Sequence, residues 1–441
     1  MFLNINSIDR NTLKIAIPLI ISNITIPLVG FVDNVMMGSL GSVVYIGAIG
    51  VGAIIISYIL FSFGFIKSLT TGFVSQHSGS KSDQKLLLSI AHLVLISTSI
   101  SFIILFFREE IIQLSLTLMN PSLEVSQGAK TYLDYRIWSV PAILFRDILI
   151  GYYIGSQQTR IAMLISISVN LINILLDYIF IFHLGFNIEG VAIASLIAEY
   201  SVILFIIYAF KTEKIFSNID INIGNIFNWD KIKSKVIVNT DMFIRSFLLM
   251  TIFVYFMSIG ASYGNDVLAA NTILLNFFFI FSHGIDGFAH SAEVLVGNSI
   301  GKKNKTILKQ SIYSTGKLSG YLMIFYIIFF LVLTKPIIAF ITDIETINYL
   351  ANYYMFYIYL IFIFTTIAFW LDGVFIGAIK VKLLRNVMIL AGSIFFILET
   401  SLLGGNNGGL WLSFAIFFGL RSLFLSIILY KYMKQNKFLE F

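Results

Sequence analysis

Twelve long apolar stretches, separated by short polar breaks, constrain this chain more than any other feature. They run near 13–37, 44–74, 87–107, 131–156, 161–183, 188–210, 236–260, 267–297, 309–334, 349–378, 384–403 and 409–432. Crossing a bilayer as a helix takes about 20 predominantly apolar residues, and each stretch is long enough. Inside hydrocarbon every backbone group must find a partner within the chain, which selects helices or a closed barrel. Alternating segments of about ten residues, the mark of a barrel, are nearly absent. The expected fold class is therefore an all-α membrane protein with twelve transmembrane helices. A water-soluble alternative fails on composition: 58% of the 441 residues are hydrophobic, only 12% are charged, and the mean hydropathy is +0.91.

Basic residues set the expected orientation, because cytoplasmic loops retain Lys and Arg. With the N-terminus inside, twenty of the 29 Lys and Arg fall in inner segments and three (Arg108, Lys130, Lys335) in outer ones. The remaining six lie within helices. Both termini are thus expected in the cytoplasm, in a multi-pass protein of the cell inner membrane. Met1–Arg10 is polar and the first apolar run outlasts a signal-peptide core, so that run is expected to stay as helix 1. The net charge of +6 follows from loop placement and gives no reason to expect nucleic acid. There are no cysteines, and the five histidines match no zinc spacing, so no metal and no cofactor are expected. No nucleophile and base occur as a set, which argues against an enzyme.

The longest polar connection, 211–235, divides the chain into expected bundles at 1–210 and 236–441. One fixed offset in residue number, the one that carries Gly155 onto Gly377, tests whether these are copies. It also places Phe31 and Val32 on Phe253 and Val254, Gly38 on Gly260, Gly79 on Gly301, Lys81 on Lys303, Tyr132 on Tyr354, and Gly151 on Gly373. Glycines held in register near helix ends point to a tandem repeat: two pseudo-symmetric six-helix bundles of like orientation.

Ionisable side chains within the apolar runs locate the candidate sites, because each costs about 2.5–3.5 kcal/mol at a helix centre on insertion scales and so needs a partner, a wet cavity or a task. Asp33 lies about seven residues before the first outer loop, roughly 10 Å deep at about 1.5 Å per residue. Asp177 lies at a similar depth, and Asn170, Asn173 and Asp177, three and four apart, form one polar stripe on its helix. Two carboxylates in a low-dielectric cavity can share a proton, which makes Asp33 and Asp177 a cation or proton site with Asn170 and Asn173; simple pairing with a buried donor is the structural alternative. At the repeat offset the second half carries Tyr255 for Asp33 and Glu399 for Asp177, so ion handling is expected mainly in the first half. A second charge network is expected from Asp241 and Arg245 on helix 7 with Asp286 and Glu293 on helix 8, and from Glu399, packing the bundle or lining its cleft. Within it, Arg245 is expected to neutralise Asp286. Arg136, Arg146, Asp147 and Asp372 are candidates for pairing between helices 4 and 10 or with loops, and Glu199 with Arg421 for an interhelical pair. Pro18 and Pro27 each remove a backbone hydrogen bond from helix 1, making them candidates for a bend that couples protonation to shape.

Several of these strings resemble the multidrug and toxic compound extrusion (MATE) family: Ile17-Pro18-Leu19-Ile20, Val32-Asp33-Asn34, Met37-Gly38-Ser39-Leu40-Gly41, and Asn170 to Asp177. Leu268-Ala269-Ala270-Asn271 and the run from Gly284 to Glu293 look like its DinF-like branch. The resemblance implies antiport of organic compounds, cationic or amphipathic, against inward proton flow, with sodium as the other coupling ion. It also implies that Asp33 holds the family's helix 1 protonation position and that Asn173 and Asp177 join its helix 5 network. Expected partners are small-molecule substrates and membrane lipids, with the protein acting as a monomer. A lipid or lipid-linked saccharide flippase on the same scaffold is the alternative; intramembrane acids as prominent as bases disfavour it.

Overall fold

The computed structural model describes residues 6–38, 43–213 and 223–438; the side chains of 26–31, 33–35, 37–38, 43 and 223 also lie outside the described set. Every long apolar stretch is a helix: α1 (Ser7–Gly38), α2 (Val44–Ser80), α3 (Asp83–Phe106), α4 (Leu123–Gly155), α5 (Thr159–His183), α6 (Ile188–Thr212), α7 (Trp229–Ser262), α8 (Asn265–Gly301), α9 (Lys305–Ile341), α10 (Glu345–Gly377), α11 (Val381–Leu402) and α12 (Asn407–Gln435). Eleven of them, α2 to α12, are long and apolar enough to cross a membrane among the described residues, and α1 adds 32 helical residues before them. No strand occurs among the described residues. The fold is the expected all-α membrane architecture. Two further helices among the described residues were not anticipated: the short Ile223–Ile226 in the connection between α6 and α7, and Arg108–Met119 between α3 and α4, where Glu109 and Glu110 occupy the first turn and suit its positive end.

The repeat reaches helix ends and caps. Asp83 and Lys305, Leu123 and Glu345, and Thr159 and Val381 begin equivalent helices at the one offset, and Gly155 and Gly377 end them. Two turns repeat in backbone conformation as well: Lys81 and Lys303 both have φ 53°, and Gln157 (φ 63°) matches Ile379 (φ 55°). Ile379 is β-branched, and such residues avoid the left-handed region, so the turn geometry of the repeat overrides local preference there.

Close helix contacts follow the same offset. A Cβ built on Gly151 would stand 2.5 Å from the carbonyl oxygen of Lys67, and one on Gly373 would stand 2.2 Å from that of Ala289. One turn on, Gly155 meets the carbonyl of Thr71 at 2.8 Å and Gly377 that of Glu293 at 2.5 Å. Lipid tails are as apolar as Leu, so helices in a bilayer are held by tight packing, and small residues let backbones approach. Here α4 is drawn onto α2, and α10 onto α8, by the same glycine pair. Gly373→Ala is expected to cost about 1–3 kcal/mol or more, because backbone cannot yield as a side-chain end can. Gly320→Ala, with nothing within 4 Å of its added methyl, is expected to be neutral or to stabilise by up to about 1 kcal/mol. Thermal unfolding of the two purified variants checks the contrast.

Two compact units result, and they exchange helix ends relative to the expected halves at 1–210 and 236–441. The first comprises Met1–Ile20 with Thr240–Phe441, the second Ile21–Asn239. Polar contacts explain the exchange. In the first unit, buried Asp9 of α1 accepts hydrogen bonds from Lys317 Nζ (2.5 Å) and Ser314 Oγ (2.6 Å) of α9, and Thr12 lies 3.0 Å from the same serine. In the second unit, His92 Nε2 of α3 donates to the Ile226 carbonyl at 3.1 Å, and Lys235 Nζ of α7 sits 3.1 Å from the Phe73 ring centroid. The division of α1 falls two residues past Pro18, which is buried within a continuous helix.

The first unit's core is aromatic. Phe256, Phe278, Phe281, Phe362, Trp411 and Phe414 are all buried, and the rings of Phe281 and Phe362 stack with centroids 4.0 Å apart. Many of the phenylalanines therefore pack between helices, whereas those of the outward face of α9, such as Phe325, are exposed as lipid-facing side chains must be.

Candidate functional site

In the second unit the polar stripe of α5 points inward, as the spacing predicts. Asn170 donates from Nδ2 to Thr25 Oγ1 of α1 at 2.8 Å, and Asn173 donates from Nδ2 to Ser195 Oγ of α6 at 3.2 Å. Asp177, one turn farther along, is 0% exposed. The stripe thus ties α5 to two neighbouring helices while holding a carboxyl fully out of contact with the surface. Asp33 and Pro27 lie on α1, but their side chains fall outside the described residues.

Asp177 stands two residues before a π-helical turn, Ile179–His183, and in the first unit a second π-helical turn, Leu398–Leu402, contains Glu399. Widened turns of this kind are rare, and they occur frequently at functional sites, where they re-aim side chains. Glu399 is 5% exposed. Both carboxyls of the repeat are therefore buried close to an irregular helix end.

The other intramembrane charges form two networks of opposite layout. In the second unit Glu199 of α6 takes Arg146 Nη1 of α4 at 2.5 Å, with Arg136 at 3.8 Å, while Arg146 also lies 3.6 Å from Asp147. In the first unit Arg421 of α12, the counterpart of Glu199, donates to Asp372 of α10 at 2.8 Å. Arg245 of α7 bonds the same carboxylate. Glu199 and Arg421 therefore do not pair with each other; each is neutralised within its own unit, and so are the charges expected to link α4 with α10. Arg245 finds Asp372 where Asp286 was expected, because α7 and α12 both present a guanidinium to that point of α10. Asp286 stays half-buried on α8, Asp241 pairs with Arg385 of α11, and Glu293 accepts from or shares a proton with His290 Nδ1 at 2.9 Å. No group of acidic and histidine side chains suited to a metal ion occurs among the described residues.

Sequence reasoning named Asp241 and Asp372 but not buried Asp9, and it did not join Lys317 to Asp9, Arg385 to Asp241, or Arg421 and Arg245 to Asp372. The available signal was a basic residue inside or beside an apolar run. Only helix packing decides which acid it meets.

The architecture and its internal repeat agree with comparisons to known proteins. The MatE family model matches residues 18–179 and again 242–399, one match in each half. "DNA damage-inducible protein F" of Escherichia coli is 31% identical over 427 residues, covering 96% of this chain and 92% of that protein. "Multidrug resistance protein MdtK" of Yersinia pestis is 27% identical over 284 residues, covering 61% of this chain and 60% of its own length. Among solved structures, MATE in the straight conformation superposes with a TM-score of 0.86 at 17% identity, covering 98% of this chain and 97% of that one. A MOP superfamily transporter from Pyrococcus furiosus gives 0.85 at 16% identity, with coverage of 98% and 97%. With two tandem matches, a relative so similar along nearly its whole length, and the expected helical architecture, the chain belongs to the multidrug and toxic compound extrusion family of membrane transporters.

Proposed function

We propose that this protein is a secondary active antiporter that exports organic compounds, cationic or amphipathic, across the cell inner membrane in exchange for inward proton flow. The observation that carries this reading is Asp177, a carboxyl 0% exposed at the end of a polar stripe inside a membrane helix. A buried ionisable group in a span is expensive and marks an ion or proton pathway when it is not simply structural. The stripe supports a transport role because Asn170 and Asn173 fix α5 against α1 and α6, so a change of charge at Asp177 acts on the packing of three helices.

In this reading both termini are cytoplasmic, as the loop charges require. Protons enter from the outer side to Asp33 and Asp177. Neutralising the carboxyls lets α1 repack around Pro18 and Pro27, substrate leaves outward, and release of protons to the cytoplasm resets the carrier. The protein works as a monomer among membrane lipids without a cofactor, and the DinF-like run from Gly284 to Glu293 favours protons over sodium as the coupling ion.

Reconstituted vesicles test the reading directly. A pH gradient alone is expected to drive efflux of organic cations, and Asp33→Asn is expected to remove that dependence. Efflux driven by a sodium gradient and indifferent to pH would replace the coupling ion. Gradient-independent movement of lipid-linked saccharide would replace the function with a flippase.

A further inference from the structure

The second half carries a buried acid with no cation beside it. Glu399 of α11 is the repeat counterpart of Asp177 and sits in the π-helical turn Leu398–Leu402. It is 5% exposed, and no Lys, Arg or His lies within ion-pair distance of it among the described residues. Its Oε2 has no hydrogen-bond partner among them either. The polar groups around it are Tyr255 of α7, Tyr263 in the turn after α7, and the buried Ser413 of α12. The backbone of Glu399 is tightly packed: a Cβ on Gly404 would stand 1.9 Å from the Glu399 carbonyl oxygen, so the chain after the turn folds directly against it.

Leaving an ionised carboxylate in such surroundings, with no cation and an oxygen accepting nothing, costs several kcal/mol, and a group so placed neutralises instead. A proton both removes the charge and converts an acceptor into a donor, which suits a pocket containing hydroxyls. We propose that Glu399 is a second proton-binding site of the carrier, standing in the first unit where Asp177 stands in the second. This rests on the proton-coupled reading above and departs from the expectation that ion handling belongs mainly to the first half. The step is a simple protonation: the Glu399 carboxylate takes one proton and becomes the neutral acid, and the same proton leaves when a movement of α11 or α12 exposes it.

Tyr255 gives the symmetry a further use. It occupies the repeat position of Asp33 and lies within electrostatic reach of Glu399, with its ring against Phe396 at 5.0 Å. The second unit thus carries two acids at the equivalent helix positions, whereas the first carries one acid and a phenol. A lone carboxyl beside a phenol titrates in one step, without the shared proton available to a dyad.

Infrared difference spectroscopy of the full-length protein in lipid, titrated with pH, tests the proposal with Glu399→Gln and Asp177→Asn. Glutamine mimics the neutral acid, so Glu399→Gln is expected to fold, to lose one protonated-carboxyl component that Asp177→Asn retains, and to lower the proton-to-substrate ratio in vesicles by one. Glu399→Asp is expected to keep a shifted component. An unchanged set of components in Glu399→Gln, or an unchanged ratio, overturns the second site. So does a component that disappears when sodium is added at constant pH. Full coupling in Asp177→Asn would overturn the primary reading without touching the Glu399 component, so the two failures are distinguishable.

Discussion

Asp177→Asn is expected to abolish the gradient-dependent part of substrate efflux while leaving the protein folded. Each proton moved down a tenfold concentration difference supplies about 1.4 kcal/mol, enough to sustain about a tenfold substrate gradient. Asparagine keeps the shape and hydrogen-bonding capacity of the side chain but cannot take up or release a proton, so that contribution disappears. Because Asp177 is fully buried, the isosteric exchange disturbs packing little. Substrate exchange without a gradient, which requires binding and conformational change but no net proton movement, is expected to persist. The measurement is uptake into inverted vesicles with and without an imposed pH difference. Wild-type accumulation by the variant would end the role assigned to Asp177.

The second large effect is structural. Asp372→Asn removes the carboxylate that serves both Arg245 and Arg421, the latter 1% exposed. Taking away one partner of a buried pair costs about 3–5 kcal/mol, because the remaining charge is stranded, and here two are stranded. Marked loss of thermal stability in detergent and of folded yield is expected. Arg421→Gln should be milder, since Arg245 still neutralises Asp372. The double variant Asp372→Asn/Arg421→Gln should recover part of the loss, as a double-mutant cycle would register for groups sharing one network. Strict additivity of the two losses would show that Arg421 and Asp372 do not depend on each other.

How much was legible beforehand differs between backbone and charges. The twelve apolar stretches coincide with the observed helices, and the constant repeat offset that pairs Gly155 with Gly377 and Lys81 with Lys303 recurs in the observed helix ends and turns. These are local and periodic properties, so one dimension suffices to reveal them. The inward direction of Asn170, Asn173 and Asp177 was legible for the same reason: residues three and four apart share a helical face wherever the helix goes. Partner choice was not. Arg245 was expected to meet Asp286 and meets Asp372 instead, a choice that depends on how α7, α10 and α12 pack. The π-helical turns at Ile179–His183 and Leu398–Leu402 have no distinct residue pattern and were also invisible.

The sequence by itself therefore determined that the chain spans a bilayer as helices, that it is built twice, and that acids inside its apolar runs such as Asp177, Asp372 and Glu399 call for buried surroundings. The physical reason is that hydrocarbon penalises unpaired backbone and exposed charge severely enough for their placement along the chain to be read directly. Tertiary structure alone decided that α1 and α7 each begin in the other half's unit, anchored by Asp9 with Lys317 and by Lys235 over Phe73. It alone decided that Arg245 and Arg421 converge on Asp372 while Glu399 is left with no cation among the described residues. Those outcomes depend on contacts between residues far apart in the chain, where small shifts of helix placement choose among chemically equal partners.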